Sequence, residues 1–248
     1  SPTSGINFVG NSTEKIKWNT LGGSKDRTVD IWYSSNNGFD WNILEENMSD
    51  DSQFEWTPRN NYSDKSLIKI RVEDSNDDNY TTMTEGTFNV LRSYKTPFFD
   101  DVEEYNYVYT DQKISGKRFE NNWDRTERTD NLSNMCWRGD YDDGSIGDSA
   151  LVTPPLKISD DRMRFSFKHN YSFGYDMNEY GDGGIVEIWD NENKEWSKLD
   201  PVFDYDDKLS NGSMNPIGGQ RAFVGQSNEW LEANFDIDNY SGKFVRLR

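Results

Sequence analysis

Asp182-Gly183-Gly184-Ile185-Val186-Glu187-Ile188-Trp189-Asp190 reads as a turn feeding a buried strand. Ile185 and Glu187 fall on one face of an extended chain and Val186 and Ile188 on the other, the two-residue period of a pleated strand. Asp-Gly-Gly supplies the backbone freedom of a tight entry. Asp190-Asn191-Glu192-Asn193 supplies a second turn ahead of Trp196. The chain from residue 97 onward is expected to pack around this strand.

Working outward, further strands are predicted at 150–156, 163–169, 221–224, 233–237 and 244–247. Met163, Phe165 and Phe167 alternate with Arg164, Ser166 and Lys168, the pattern of a half-buried strand. Towards the N-terminus, short runs at 6–9, 15–19, 29–34, 41–45, 53–56, 67–73 and 86–90 are separated by polar turns. Strands at such regular spacing are the signature of an all-β sandwich. Ile68, Ile70 and Val72 alternate with Lys69 and Arg71, and Ser35-Asn36-Asn37-Gly38 reads as a hairpin turn. No helical period is present. The expectation is an all-β chain of two β-sandwiches, 1–94 and 95–248, with a short linker over 92–97 ended by Pro97.

Composition narrows the function classes. Hydrophobic residues make up 33% of the chain but aromatic ones 15%, which suits cores built from large flat side chains and excludes disorder. The net charge is −18, so a phosphate backbone would be repelled and nucleic acid is not expected as a partner. No run of about 18 apolar residues is present, so no membrane span is expected. Cys136 is the only cysteine, which leaves no intrachain disulfide. Beside Trp137 it reads as a buried, inert thiol. Asn-X-Ser/Thr acceptors occur at Asn11, Asn47, Asn61, Asn79, Asn131, Asn170, Asn211 and Asn239, mostly in turn-like polar contexts. Acidity, dense acceptors and the lack of disulfides lead to the expectation of an extracellular or cell-surface glycoprotein, archaeal in style.

Two resemblances add to this. Ile16-Lys17-Trp18, Val29-Asp30-Ile31-Trp32-Tyr33-Ser34, Gly38-Phe39-Asp40-Trp41, Phe54-Glu55-Trp56-Thr57-Pro58, Ile70-Arg71-Val72-Glu73-Asp74 and Gly86-Thr87-Phe88 together resemble an Ig-like or fibronectin-III-like module. Such modules serve as spacers and stalks. Trp18, Trp32, Trp41 and Trp56 are expected in its core, with a sugar-binding face as the alternative. Phe99-Asp100-Asp101-Val102-Glu103, Asp148-Ser149-Ala150-Leu151-Val152-Thr153-Pro154, Arg164-Phe165-Ser166-Phe167-Lys168-His169, the 182–188 strand, Trp196, Arg221-Ala222-Phe223-Val224-Gly225, Trp230 and Gly242–Arg248 resemble the MAM-like jelly rolls of secreted peptidases of the immune inhibitor A and fungalysin types. That pattern continues past Arg248 into further strands. The expectation is a longer protein, or a strand from another chain that fills the gap.

The second resemblance implies a structural calcium held by Asp101, Glu103 and Asp148, with Asp100 nearby; carboxylates are the ligands this hard cation takes. The acidic turns at 140–144 and 204–207 fit no EF-hand loop and read as solvated turns. His169 is the only histidine, so a His-Glu-x-x-His zinc site cannot form, and no Gly-x-Ser-x-Gly elbow is present. His169 continues an alternating strand and reads as a packing residue. The expected function is non-catalytic: a structural or adhesive surface module pair in a surface layer, sheath or filament. Its partners would be other surface proteins, copies of itself joined by strand complementation, or glycans. The alternatives are an accessory C-terminal region of a larger secreted metallopeptidase and a carbohydrate-binding module.

Overall fold

The computed structural model describes the chain except for residues 23–25, 75–78, 108, 116–122, 129, 131–133, 140–147, 160–161, 177–178 and 212–214. It is all-β; among the described residues the only helix is the single 3₁₀ turn Asp238–Tyr240. The chain divides into two compact units, Ser1–Ser93 and Tyr94–Arg248.

The first unit holds β1 (Asn7–Val9), β2 (Glu14–Lys17), β3 (Arg27–Ser34), β4 (Asn42–Ser49), β5 (Gln53–Trp56), β6 (Ser63–Asp74), β7 (Asn79–Met83) and β8 (Phe88–Leu91). The large sheet runs β1-β8-β6-β3-β4, with β7 paired to the later half of β6 and β1 lying parallel to β8. β2 and β5 form a separate two-stranded sheet. Alternation decides which face is buried. Val29, Ile31, Ile68, Ile70, Val72, Phe88 and Val90 turn inward and meet Ile16, Trp18 and Trp56 from the small sheet's side. Phe8, Trp56, Phe88 and Tyr33 form an aromatic group, with Tyr33 and Trp56 ring centroids 4.7 Å apart. The expected hairpin joins β3 to β4. Asn37 and Gly38 take positive φ, and the Ser34 hydroxyl accepts the Asn36 and Gly38 N–H groups. Pairing slips near Ile31, where Asp30, a buried acid, accepts the Asn47 N–H at 2.9 Å and binds Arg71 through Nε and Nη2. A carboxylate in mid-strand thus satisfies the amide that the bulge leaves unpaired.

The second unit holds β9 (Tyr94–Lys95), β10 (Thr110–Ser115), β11 (Trp123–Glu127), β12 (Met135–Gly139), β13 (Asp148–Val152), β14 (Leu156–Lys157), β15 (Arg164–His169), β16 (Tyr175–Asp176), β17 (Glu179–Tyr180), β18 (Val186–Asp190), β19 (Glu195–Leu199), β20 (Asp207–Lys208), β21 (Arg221–Ala222), β22 (Leu231–Asp236) and β23 (Phe244–Leu247). One sheet has the order β19-β18-β23-β14-β9. β15 pairs with β22 over its whole length, and β10–β13, β11–β12, β16–β17 and β20–β21 are two-stranded ladders. The core joins Val186, Ile188, Val245, Leu247 and Leu156 of the five-stranded sheet to Phe165, Phe167, Ala233 and Phe235 of the β15–β22 pair. The strand read first from the sequence is therefore an interior one, and Ile188 is fully buried.

The structure departs from the sequence reading in two places here. The expected linker is not a linker: Tyr94 and Lys95 pair in parallel with Leu156 and Lys157 as an edge of the five-stranded sheet. Gly183 serves close approach, not backbone freedom. A Cβ there would lie 2.7 Å from the Phe223 carbonyl oxygen and 3.0 Å from Leu209 and Val224, and Gly184 and Phe223 exchange both backbone hydrogen bonds.

Candidate functional site

The acids implied as a calcium site are used locally. Asp100 accepts the Val102 N–H at 2.9 Å and Asp101 accepts that of Glu103 at 3.2 Å. These bonds hold a turn in which Val102 takes φ +66°. Glu103 accepts the Met135 N–H at 3.1 Å, and Arg125 Nε donates to the Val102 carbonyl at 2.6 Å, which ties the turn to the β11–β12 hairpin. Asp148 opens β13 opposite Ser115. Among the described residues no group of three or more His, Cys, Asp or Glu is placed to share a metal ion. Asp101, Glu103 and Asp148 as described therefore do not fit a calcium cage. The acidic run at 140–144 lies outside the described residues.

The turn at 204–207 is more than solvated acids. Tyr205 is buried; its hydroxyl donates to the Leu199 carbonyl at 2.7 Å and accepts the Val186 N–H at 3.0 Å. It pegs the start of β18 to the end of β19. Burial pushes its phenol well above the ordinary range. Asp206 accepts the Tyr171 hydroxyl and the Val224 N–H, and Asp204 pairs with Arg221 at 3.1 Å. The sequence carried a signal for this: one aromatic inside a run of acids needs somewhere dry to go.

His169 ends β15 among the rings of Phe167, Tyr171 and Phe223, with centroids 5.1, 5.2 and 4.5 Å away. Burial pushes its pKa down, against a smaller upward pull from Asp206. The imidazole packs as an aromatic edge. Cys136, half-buried in β12, has a thiol pushed up by burial against Arg128 and Arg138, the opposite of an activated nucleophile.

The tryptophans of the first unit divide. Trp18 and Trp56 are core residues, at 9% and 8% exposure. Trp32 and Trp41 are not: they lie half-buried on the outer face, with Lys69 Nζ 4.6 Å from each ring. Trp32 precedes the inward Tyr33 and follows the inward Ile31, so alternation alone puts it outside. The second unit has a comparable outer face. Glu187 and Trp189 of β18, Trp196 of β19, Arg246 of β23 and Arg248 just beyond it alternate with core residues. Arg246 lies 5.5 and 5.7 Å from the Trp189 and Trp196 rings, Arg248 lies 4.3 Å from Trp196, and Arg248 Nε binds Glu187 at 2.7 Å. Burial, helped by Arg248, pushes Arg246 down to about 10.

Of the eight acceptor asparagines, Asn131 lies outside the described residues. Asn11, Asn47, Asn61, Asn79, Asn170, Asn211 and Asn239 are all exposed, four on the first unit and three on the second. Asn11 and Asn47 also take positive φ.

No family model matches the chain, and no curated protein matches it. Among solved structures, the chain is similar to the alpha-L-rhamnosidase from Dictyoglumus thermophilum, with 14% identity and a TM-score of 0.30; the match covers 99% of this chain and 23% of that enzyme. The chain spans about a quarter of that enzyme's length, and a likeness this distant carries no argument about fold or chemistry.

Proposed function

We propose that the chain is a non-catalytic extracellular or cell-surface glycoprotein module pair with a structural or adhesive role. The observation that carries this reading is the placement of the acceptors. All seven described acceptor asparagines stand in solvent, on both units, where a glycan can be attached without displacing packed side chains. The chemistry of the remaining groups supports it: His169 is packed between rings and the Cys136 thiol is pushed up. Pairing with another chain through the β4 edge is disfavoured. That strand carries Glu45 and Glu46, two register slips and the acceptor Asn47, the features by which natural sheets blunt an edge. Peptide mapping by mass spectrometry of protein from its native source tests the proposal. Glycan is expected on several of the seven asparagines, and bare asparagine at all of them would sink it.

A further inference from the structure

The large sheet of the first unit is wider than the sheet that covers it. β2 and β5 lie over β3, β6 and β8, whereas every residue of β7 is exposed. Register puts Tyr80 opposite Val72 and Thr82 opposite Ile70, on the inward side of the sheet. Arg27 and Asp74 close the same face at its end, as register partners two residues beyond the Val29–Val72 pair. Residues 18–22, which follow β2, line the same space. The result is a cavity of about 180 Å³ floored by Ile70 and Val72 and walled by Trp18 and Tyr80. At about 30 Å³ per water it has room for roughly six waters, or for one six-membered ring with its hydroxyls.

The polar lining includes Asn19, Thr20, Arg27, Asp74 and Thr82. Two of its atoms, Thr20 Oγ1 and Arg27 Nη1, are buried without a hydrogen-bond partner among the described residues. Asp50 Oδ2 lies 3.8 Å from Arg27 Nη1, close enough to balance its charge but too far for a hydrogen bond. Buried polar groups left unpaired are costly, so they favour a guest that brings oxygens to them. Charge narrows the guest. Arg27 is balanced by Asp50 beside it and Asp74 in the lining, within a chain of net charge −18, so a carboxylate or phosphate would meet no positive potential. A neutral polyol fits better. Its hydroxyls can accept from Arg27 and Thr20 and donate to Asp74 and Asn19, while its C–H faces lie against Trp18 and Tyr80.

We propose that this cavity binds a single neutral pyranose ring, free or as one residue of a glycan. The test is a titration of the isotopically labelled chain with the methyl glycosides of glucose, galactose, mannose and N-acetylglucosamine, with glucuronate as the charged comparison, read by backbone amide NMR. Millimolar binding of at least one neutral glycoside is expected, with shifts confined to residues 18–22, 27 and 80–82. Tyr80 is 63% exposed, so Tyr80→Ala leaves the fold intact and is expected to weaken binding about tenfold. Thr20→Val, which keeps the shape and removes the hydroxyl, is expected to weaken it about three- to tenfold. Trp41→Ala, on the opposite face, is expected to change nothing. The inference is overturned if no neutral glycoside shifts the cavity amides. It is equally overturned if binding depends on Trp41 and not on Tyr80, or if glucuronate binds more tightly than every neutral sugar.

Discussion

Asp190→Asn probes the joint on which the five-stranded sheet of the second unit closes. Asp190 is buried at the end of β18. Its Oδ1 accepts the Glu192 N–H at 2.8 Å, and its Oδ2 accepts the Lys243 ammonium at 2.8 Å and the Asn193 side-chain amide at 3.0 Å. Burial by itself would raise the carboxyl; the Lys243 bond and the Glu192 and Asn193 amides overcome it and hold the pKa below the ordinary 3.8. Asparagine keeps one acceptor oxygen but turns an N–H₂ toward Lys243 and Asn193, both of them donors. The Lys243 bond is charge-assisted, and losing it is expected to cost about 1.5–3 kcal/mol. For a unit of this size that is roughly 4–10 °C in melting temperature. The sign of the pH dependence follows from the depressed pKa. The stabilisation is present above the unfolded value and is lost as pH falls through the folded one. Scanning calorimetry of the whole chain at pH 7 and at about pH 2 should show a large gap between wild type and variant at the first and a much smaller one at the second. The same gap at both, or none at neutral pH, would refute the reasoning.

Two further outcomes are expected. Because His169 is the only histidine and burial lowers its pKa below 6.5, the unfolded chain takes up that proton first; stability should fall as pH drops below 6.5, and His169→Phe should lose that component in urea melts at pH 7 and about pH 5. Because Asp101 and Glu103 bond backbone amides, chelator should leave the melting temperature unmoved, whereas a drop of several degrees would show that a cation is bound after all.

The fold was legible where alternation was clean. Val186 and Ile188, and Ile68, Ile70 and Val72, announce buried faces by period alone, and each is buried. Strands that carry no such pattern were missed. β7 reads Asn-Tyr-Thr-Thr-Met and every one of its residues is exposed, so burial left no mark on it. Tyr94 and Lys95 sit beside Pro97 and resemble a linker, yet they extend a sheet whose other members lie more than sixty residues away in sequence. Asp30 looks like a surface residue of β3, and only the slip in the β3–β4 register explains why a carboxylate is buried there.

The candidate cavity was hidden for a related reason. Trp18, Thr20, Arg27, Asp74 and Tyr80 share no motif and no spacing; the stretch after β2, the start of β3, the end of β6 and β7 bring them together. What unites them is a mismatch of sheet widths, which depends on pairing partners and not on any single strand's composition. The sequence reading placed all four tryptophans of the first unit in one core. Alternation within β3 already opposed that, since Trp32 lies between inward-facing Ile31 and Tyr33. Trp18 is different: it is both a core residue and a wall of the cavity. Its indole N–H donates to Asp50 at 2.8 Å, the acid that also balances Arg27. One carboxylate therefore fixes the aromatic wall and tunes the cation beside it, so a substitution at Asp50 should disturb packing and ligand preference together, whereas one at Tyr80 should disturb the ligand alone.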